Sequence, residues 1–201
     1  MIEVRSDETF LDIIIHQIEN LNTSTNTSIP LVLMNSFNTH KETNTIIKKY
    51  SNSNVKILTF EQSQYPRVLK SNLMPVTKSM KKTSNDEWFP PGHGDVYQSI
   101  INTGTLEKLK QEGREYVFIS NVDNLGATVD FNILNYMIEN DLEFCMEVTD
   151  KTEADVKGGT LINYEGKVKL LEIAQVPKEH VWEISLDSIS TLIDFFGKKD
   201  F

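Results

Sequence analysis

The chain has 201 residues, of which 39% are apolar, and a chain of this length buries one sizeable hydrophobic core, so we expect one domain. Its 29 acidic residues outnumber its 20 basic ones, giving a formal net charge of −9, which argues against a nucleic-acid partner. Cys145 is the single cysteine, and no Cys/His cluster has zinc-ligand spacing. Without a signal-peptide pattern or an apolar run of roughly 18 residues, we expect a soluble, cytoplasmic protein with no membrane partner.

Hydrophobic periodicity predicts the elements of the first half of the chain. In order, they are a helix over 10–21 with Ser6 or Asp7 as N-cap, a surface loop over 22–28, a strand over 29–34, a helix over 39–50 and a strand over 55–60. This alternation is typical of βαβ units. Between 61 and 95 the pattern weakens, and a loop of that length commonly serves a functional site.

The second half continues the alternation. It is predicted to contain a helix over 96–110 with a stop at Gly113, a strand over 115–120, a helix over 128–140 with Leu134, Met137 and Ile138 as core residues, a strand over 142–148, a hairpin of 158–163 and 167–173, and a final helix over 186–196 ending at Gly197. We therefore expect an α/β domain of three layers with a mostly parallel sheet and right-handed crossovers.

Polar side chains follow three of the predicted strands, at the sheet edge where ligands bind in α/β proteins. These residues are Asn35 and Ser36, Glu61 and Gln62, and Asn121, Asp123 and Asn124. The pattern predicts where a site lies but not its chemistry.

Two segments have the residue types of a phosphate or metal site. Residues 90–95 (PPGHGD) place two glycines around His93 before a helix, which is typical either of an anion-binding loop or of a rigid turn with a solvent-facing histidine. Asp123 follows a strand, where its carboxylate either holds Mg²⁺ or makes an Asx-turn or helix cap.

A third segment, KGGT over 157–160, has adjacent glycines that allow a sugar or nucleotide to approach the backbone, or that form a bulge. Glu172 faces solvent by alternation, or binds sugar hydroxyls if it converges with these glycines. Cys145 is expected in the core rather than as a nucleophile. His16 and His40 are expected at the surface.

Six segments carry a family resemblance. They are PLVLMNSFNT (30–39), FEQSQYPRV (60–68), WFPPGHGDVY (88–97), FISNVDNLGATVD (118–130), EVTDKTEADVKGGTL (147–161) and LLEIAQVPKEHV (170–181). Over about residues 2–181, in order and at family spacing, the sequence closely resembles the eukaryotic UDP-glucose pyrophosphorylases (UTP:glucose-1-phosphate uridylyltransferases). The resemblance implies a Rossmann-like, glycosyltransferase-A-like nucleotidyltransferase fold. It also implies reversible formation of UDP-glucose and diphosphate from UTP and glucose 1-phosphate, with Mg²⁺.

The resemblance also implies residue roles. Gln62 matches the glutamine that contacts uracil, Gly92 matches a nucleotide-contacting glycine, and His93 matches the histidine that meets the sugar phosphate. The other matched positions are the nucleotide- and sugar-contacting segment Asn121, Val122 and Asp123, with Asp123 as the Mg²⁺ partner, and the glucose-side residues Gly159 and Glu172. No residue of this chain is assigned a catalytic role.

The sequence departs from the family pattern at both ends. The family's glycine-rich loop, with its lysine, is expected before Ile2, and residues 182–201 form a divergent tail. We therefore expect residues 1–201 to be a partial catalytic domain with weak or absent turnover. The alternative is a non-catalytic nucleotide-sugar binding or interaction protein, as a homo-oligomer or with a full-length partner. A glycosyltransferase using UDP-glucose is disfavoured by the six motifs.

Overall fold

The computed structural model describes residues 3–77, 84–150, 159–180 and 189–197. The chain forms two compact units, Met1–Gly113 and Arg114–Phe201. Among the described residues, no helix is both long and apolar enough to cross a bilayer. In the described parts of the chain, helices alternate with strands in the first unit and one helix lies among the strands of the second, which confirms the α/β class.

Within its described residues, the first unit contains four helices and six strands. They are β1 (Glu3–Arg5), β2 (Glu8–Thr9), α1 (Phe10–Thr25), β3 (Leu31–Asn35), α2 (His40–Ile46), β4 (Ile57–Glu61), β5 (Tyr65–Pro66), β6 (Trp88–Phe89), α3 (Val96–Asn102) and α4 (Thr105–Gln111), with 3-10 turns at Ile47–Tyr50, Asn85–Glu87 and His93–Asp95. The predicted helices and strands before residue 60 are confirmed, with boundaries shifted by up to four residues.

Helix α1 begins at a capping box rather than at the predicted cap. Thr9 accepts a hydrogen bond from the Asp12 N–H, and the Asp12 carboxylate accepts one from the Thr9 N–H at 2.8 Å. Ser6 and Asp7 instead form the turn between β1 and β2, at φ 51° and 65°. The prediction of either residue as the N-cap was wrong, because the two residues of β2 separate that turn from α1, and the second of them, Thr9, is the cap.

The polar run 22–28 was predicted to be a loop, but its first four residues continue α1. Asn22 is buried, and its side chain accepts from the Ile29 N–H at 2.7 Å and donates to the Ile29 carbonyl at 3.1 Å. Asn26 ends the helix in the left-handed conformation that favours asparagine. The Asn22 side chain thus bonds the backbone that follows the helix, a role that residue polarity alone does not reveal.

The core of the first unit lies between α1 and the parallel pair β3–β4. Leu31 to Asn35 pair in register with Ile57 to Glu61. Leu11, Ile15 and Val55 are buried, and Leu31 packs against them. The parallel register brings the carboxyl ends of β3 and β4 to the same edge, as predicted.

The predicted helix over 96–110 is two helices. Gly104 separates α3 from α4 and has φ 71°, a left-handed conformation that a side chain would strain. The apolar spacing continues across this break, which is why periodicity predicts a single helix.

In the part of the second unit that the structure describes, there are one helix and five strands. They are β7 (Tyr116–Ile119), α5 (Phe131–Glu139), β8 (Phe144–Asp150), β9 (Thr160–Tyr164), β10 (Lys167–Leu171) and β11 (Ile189–Gly197), with 3-10 turns at Ile173–Gln175 and Lys178–His180. Asp130 caps α5, Met137 is fully buried, and Ile138 is exposed. Ile133, rather than the predicted Ile138, packs against Met137.

The predicted final helix is wrong where the structure describes it, because residues 189–197 form strand β11. It lies between β7 and β8 and is antiparallel to both. Its β-branched and aromatic residues suit a strand, although their spacing also fits a helix. Among the described residues, only the β3–β4 pair is parallel; the other pairings are antiparallel.

The predicted hairpin is confirmed. Strands β9 and β10 are antiparallel, with Thr160 opposite Leu171 at one end and Tyr164 opposite Lys167 at the other. Glu165 and Gly166 form its turn at φ 53° and 77°, the positive values of a two-residue hairpin.

Candidate functional site

The first cluster of site residues lies where β4 ends. The Gln62 N–H donates to the Asn35 carbonyl at 2.8 Å, which extends the β3–β4 ladder by one bond. The Gln62 side chain then accepts, at Oε1, a hydrogen bond from the Gly92 N–H at 2.8 Å. Two residues 30 positions apart, each predicted from its own motif, are therefore in direct contact. We call Gln62 and Gly92 the base-site pair.

Gly92 supports this contact through its backbone conformation. Its φ is 98°, a value that residues with side chains rarely adopt. His93, exposed to solvent, begins the 3-10 turn that follows. The predicted loop is thus a turn that points one N–H at Gln62 and leaves its histidine accessible.

A hydrogen-bond network next to the pair went unpredicted. The Asp95 carboxylate accepts from the Ser63 N–H at 2.6 Å and from the Ser99 hydroxyl. The Asp95 N–H donates to the Gly92 carbonyl at 3.1 Å. The sequence gives no direct signal for it, because an aspartate directly before a helix predicts an ordinary cap.

Polar groups also gather at the ends of β3 and β4. His40 Nε2 lies 3.6 Å from a Glu61 carboxylate oxygen and 2.7 Å from Asn44 Nδ2. His40 is half-buried, so its predicted place at the surface is only partly correct. Asn35 is 6% exposed, and within the described part of the chain its Nδ2 has no hydrogen-bond partner.

In the second unit, residues 121–124 form a turn directly after β7. The Asn124 N–H donates to the Asn121 carbonyl at 3.1 Å. Asn121, Val122 and Asp123 are all exposed. No group of three His, Cys, Asp or Glu side chains suited to a metal occurs among the described residues. A single accessible carboxylate nevertheless fits Mg²⁺, which commonly takes one or two carboxylates together with substrate phosphates.

Gly159 and Glu172 converge at the open end of the hairpin. A Cβ placed on Gly159 would lie 3.2 Å from Glu172 Oε2 and 3.0 Å from Leu170 Cδ1. The carboxylate therefore lies against Gly159, and a Cβ there would push it aside by a few tenths of an ångström. Lys157 and Gly158 of the same motif lie outside the described residues. Glu172 thus converges with one of the two glycines of this motif, and its role in a sugar site stays a prediction.

Two further predictions concern residues away from these clusters. Cys145 is half-buried and packs against the core cluster of Ala127 and Met137, as expected of a core cysteine. His16 is exposed and lies 3.0 Å from a Glu8 carboxylate oxygen, as expected of a surface residue.

Comparison with known proteins identifies the family. The family model described as UTP–glucose-1-phosphate uridylyltransferase matches residues 1–192. The chain belongs to this family. The Hordeum vulgare UTP–glucose-1-phosphate uridylyltransferase is 60% identical over 183 residues, covering 91% of this chain and 38% of that relative. The Dictyostelium discoideum UTP–glucose-1-phosphate uridylyltransferase 2 is 62% identical, with 91% and 36% covered. The chain thus spans less than two fifths of these relatives.

Solved structures of the family have a similar fold. The chain matches UDP-glucose phosphorylase from Trypanosoma brucei with a TM-score of 0.85 at 36% identity, covering 98% of this chain and 45% of that one. It also matches a mutant of UDP-glucose pyrophosphorylase from Leishmania major, solved in complex with UDP-glucose, with a TM-score of 0.82 at 31% identity over the same shares.

Proposed function

We propose that this chain contributes nucleotide- and sugar-binding residues to a UTP:glucose-1-phosphate uridylyltransferase, which forms UDP-glucose and diphosphate reversibly from UTP and glucose 1-phosphate. The observation that carries the proposal is the 2.8 Å hydrogen bond between the Gly92 N–H and Gln62 Oε1. By resemblance, both residues match nucleotide-contacting positions of the family, and they are in direct contact.

This bond fixes which end of the Gln62 amide is available to a ligand. With Oε1 occupied by the Gly92 N–H, the Nε2 amino group remains as a donor. Uracil presents a carbonyl acceptor at the position where cytosine presents an amino donor. A fixed donor therefore favours uracil over cytosine, because two facing donors leave both unpaired.

The proposed reaction is a phosphoryl-group displacement. A phosphate oxygen of glucose 1-phosphate attacks the α-phosphorus of UTP, a new P–O bond forms, and the bond to diphosphate breaks with diphosphate leaving. Catalysis of this kind depends on positioning the reactants and neutralising their charge. We assign His93 to contact the sugar phosphate, where its exposed ring can donate a hydrogen bond.

Asp123 is the residue that we assign to Mg²⁺. The ion, when bound, neutralises charge on the phosphates. The exposed carboxylate after β7 supports this assignment. Asn121 and Val122 of the same turn are assigned to nucleotide and sugar contacts.

Gly159 and Glu172 are assigned to the glucose moiety. A carboxylate accepts hydrogen bonds from sugar hydroxyls, and the absence of a side chain at residue 159 lets a ligand approach the backbone. The packing of Glu172 over Gly159 supports a joint role. We also propose a three-layer glycosyltransferase-A-like fold whose sheet includes the parallel β3–β4 pair, and the cytoplasm as the location.

A pyrophosphorolysis assay tests the proposed function. Purified chain is incubated with UDP-glucose, diphosphate and Mg²⁺, and UTP is measured, with calorimetry of UDP-glucose binding in parallel. Weak UTP formation that Gln62→Ala reduces further is the expected result. Binding without turnover would favour the nucleotide-sugar binding alternative. A folded chain that shows no UDP-glucose binding and no UTP formation would contradict the proposed function.

A further inference from the structure

Asp95 occupies a capping position but does not cap. An aspartate directly before a helix normally accepts hydrogen bonds from the backbone N–H groups in the first turn of that helix. Asp95 precedes α3, yet its side chain makes no such bond. It accepts instead from the Ser63 N–H at 2.6 Å, on a segment 32 residues away in sequence. The carboxylate therefore connects two segments of the chain, and stabilising its own helix does not explain it.

Both connected segments adjoin the base-site pair. Ser63 directly follows Gln62, and the Asp95 N–H donates to the Gly92 carbonyl at 3.1 Å. Asp95 thus holds the backbone next to each member of the pair at the same time. A change at Asp95 should alter the distance or angle between the Gly92 N–H and Gln62 Oε1.

Ser99 completes the connection from inside α3. It is 1% exposed, its hydroxyl donates to the Asp95 carboxylate, and the same hydroxyl accepts from the Ser63 N–H at 3.2 Å. Burial acts to raise the pKa of Asp95, but hydrogen bonds from Ser99 and Ser63 outweigh it and the pKa lies below its ordinary value. The carboxylate is accordingly ionised at neutral pH, the state that accepts both bonds.

We propose that Asp95 and Ser99 are positioning residues for uracil recognition, holding the end of β4 against the Gly92 turn so that the Gln62 amino group keeps the direction that distinguishes uracil from cytosine. This inference rests on the proposed function. Neither residue touches the ligand in this account; both act through the base-site pair.

The test compares variants of the full 201-residue chain. Asp95→Asn keeps the shape of the side chain but removes its charge, and Ser99→Ala removes only the hydroxyl. Asp86→Asn, at an exposed position of the same unit, is the matched control for the first variant. Gln98→Ala, on the exposed side of α3, is the control for the second. Calorimetry gives the Kd of each for UDP-glucose and CDP-glucose, and circular dichroism shows whether it is folded.

We expect Asp95→Asn and Ser99→Ala to weaken UDP-glucose binding about tenfold, the order of one net hydrogen bond, and to weaken CDP-glucose binding less. The preference for uracil would then fall, while the controls keep it. Equal losses for the two ligands, or an unchanged preference in folded Ser99→Ala, would overturn the proposal. If Asp95→Asn does not fold, Ser99→Ala carries the test.

Hydrogen exchange of the Gly92 amide provides a readout that needs no ligand. The exchange should be slow in the unmodified chain and faster in Ser99→Ala, because the Gln62 acceptor is less firmly held. Exchange at the unmodified rate would overturn the positioning role. If the unmodified chain bound neither nucleotide sugar, the proposed function would fail, whereas the exchange rate would still decide whether Ser99 positions the pair.

Discussion

Replacing Gln62 with glutamate reverses one end of the side chain without changing its shape. The Gly92 N–H, which lies 2.8 Å from Gln62 Oε1 in the unmodified chain, would still donate to a carboxylate oxygen in the variant. The group in place of Nε2 would become a second acceptor, so a uracil carbonyl would lose its donor and face an oxygen instead. The fold should be unaffected, because the bond that joins β4 to the Gly92 turn is retained.

The expected loss of affinity for UDP-glucose follows from that single exchange of a donor for an acceptor. Leaving a buried polar group unpaired costs about 1–3 kcal/mol, which is roughly a 5- to 150-fold increase in Kd. CDP-glucose should lose less affinity than UDP-glucose, because its amino group can donate to the new carboxylate. The preference for UDP-glucose over CDP-glucose should therefore fall.

Calorimetric titration of both nucleotide sugars measures this change. Gln98→Glu provides the matched control, since it adds the same charge at an exposed position of α3 in the same unit. A folded Gln62→Glu variant that binds UDP-glucose as tightly as the control would refute the account of base recognition.

Three other predictions follow from the hydrogen bonds and packing described above. Asp12→Ala should lower the free energy of unfolding by about 2–4 kcal/mol in urea titrations, because it removes the carboxylate that bonds Thr9 in the capping box and accepts a 2.6 Å hydrogen bond from Tyr50. Tyr50→Phe should cost only about 1 kcal/mol. Burial acts to raise the pKa of Asp12, but its hydrogen bonds outweigh this and the pKa lies well below the ordinary 3.8; the pKa of Asp95 is also lowered. Each ionised carboxylate stabilises the fold above the unfolded-state pKa, and this contribution is lost as the pH falls through the lower folded-state pKa. The midpoint of urea unfolding should therefore decrease as the pH is lowered below about 4, and the decrease should be smaller in Asp12→Asn. Gly159→Ala should weaken binding of UDP-glucose about fivefold relative to UDP in calorimetry, because its Cβ would displace the Glu172 carboxylate, whereas equal effects on both ligands would contradict a glucose-side role.

The local part of the fold could be predicted from the sequence. The apolar runs that become β3 and β4, with a helix between them, are a short-range pattern, and their parallel pairing follows from it. The Glu165–Gly166 turn is likewise a local feature. Breaks at Gly104 and the capping of α1 by Thr9 depend on backbone conformation, which periodicity does not resolve.

Long-range pairing was less predictable. Residues 189–197 have spacing that fits a helix, but their place between β7 and β8 makes them a strand. A gap between two strands is a property of the folded sheet, and no window of the sequence contains it. Tertiary context therefore outweighed local periodicity there.

Motifs located part of the candidate site, and the fold supplied the remainder. Gln62 and Gly92 were each predicted separately, and the structure adds the bond between them. Asp95 and Ser99 could not be recognised, because the role of Asp95 depends on a backbone N–H 32 residues earlier. The convergence of Glu172 with Gly159 likewise needed the register of the hairpin.

The most direct test of uridine recognition by the base-site pair is an NMR titration of ¹⁵N-labelled chain with UDP. The account predicts that the Gln62 side-chain amide and the Gly92 backbone amide shift together and saturably, and that CDP produces smaller shifts at the same concentration. Resonances of both groups that stay in place at saturating UDP, in a chain shown to be folded, would contradict it.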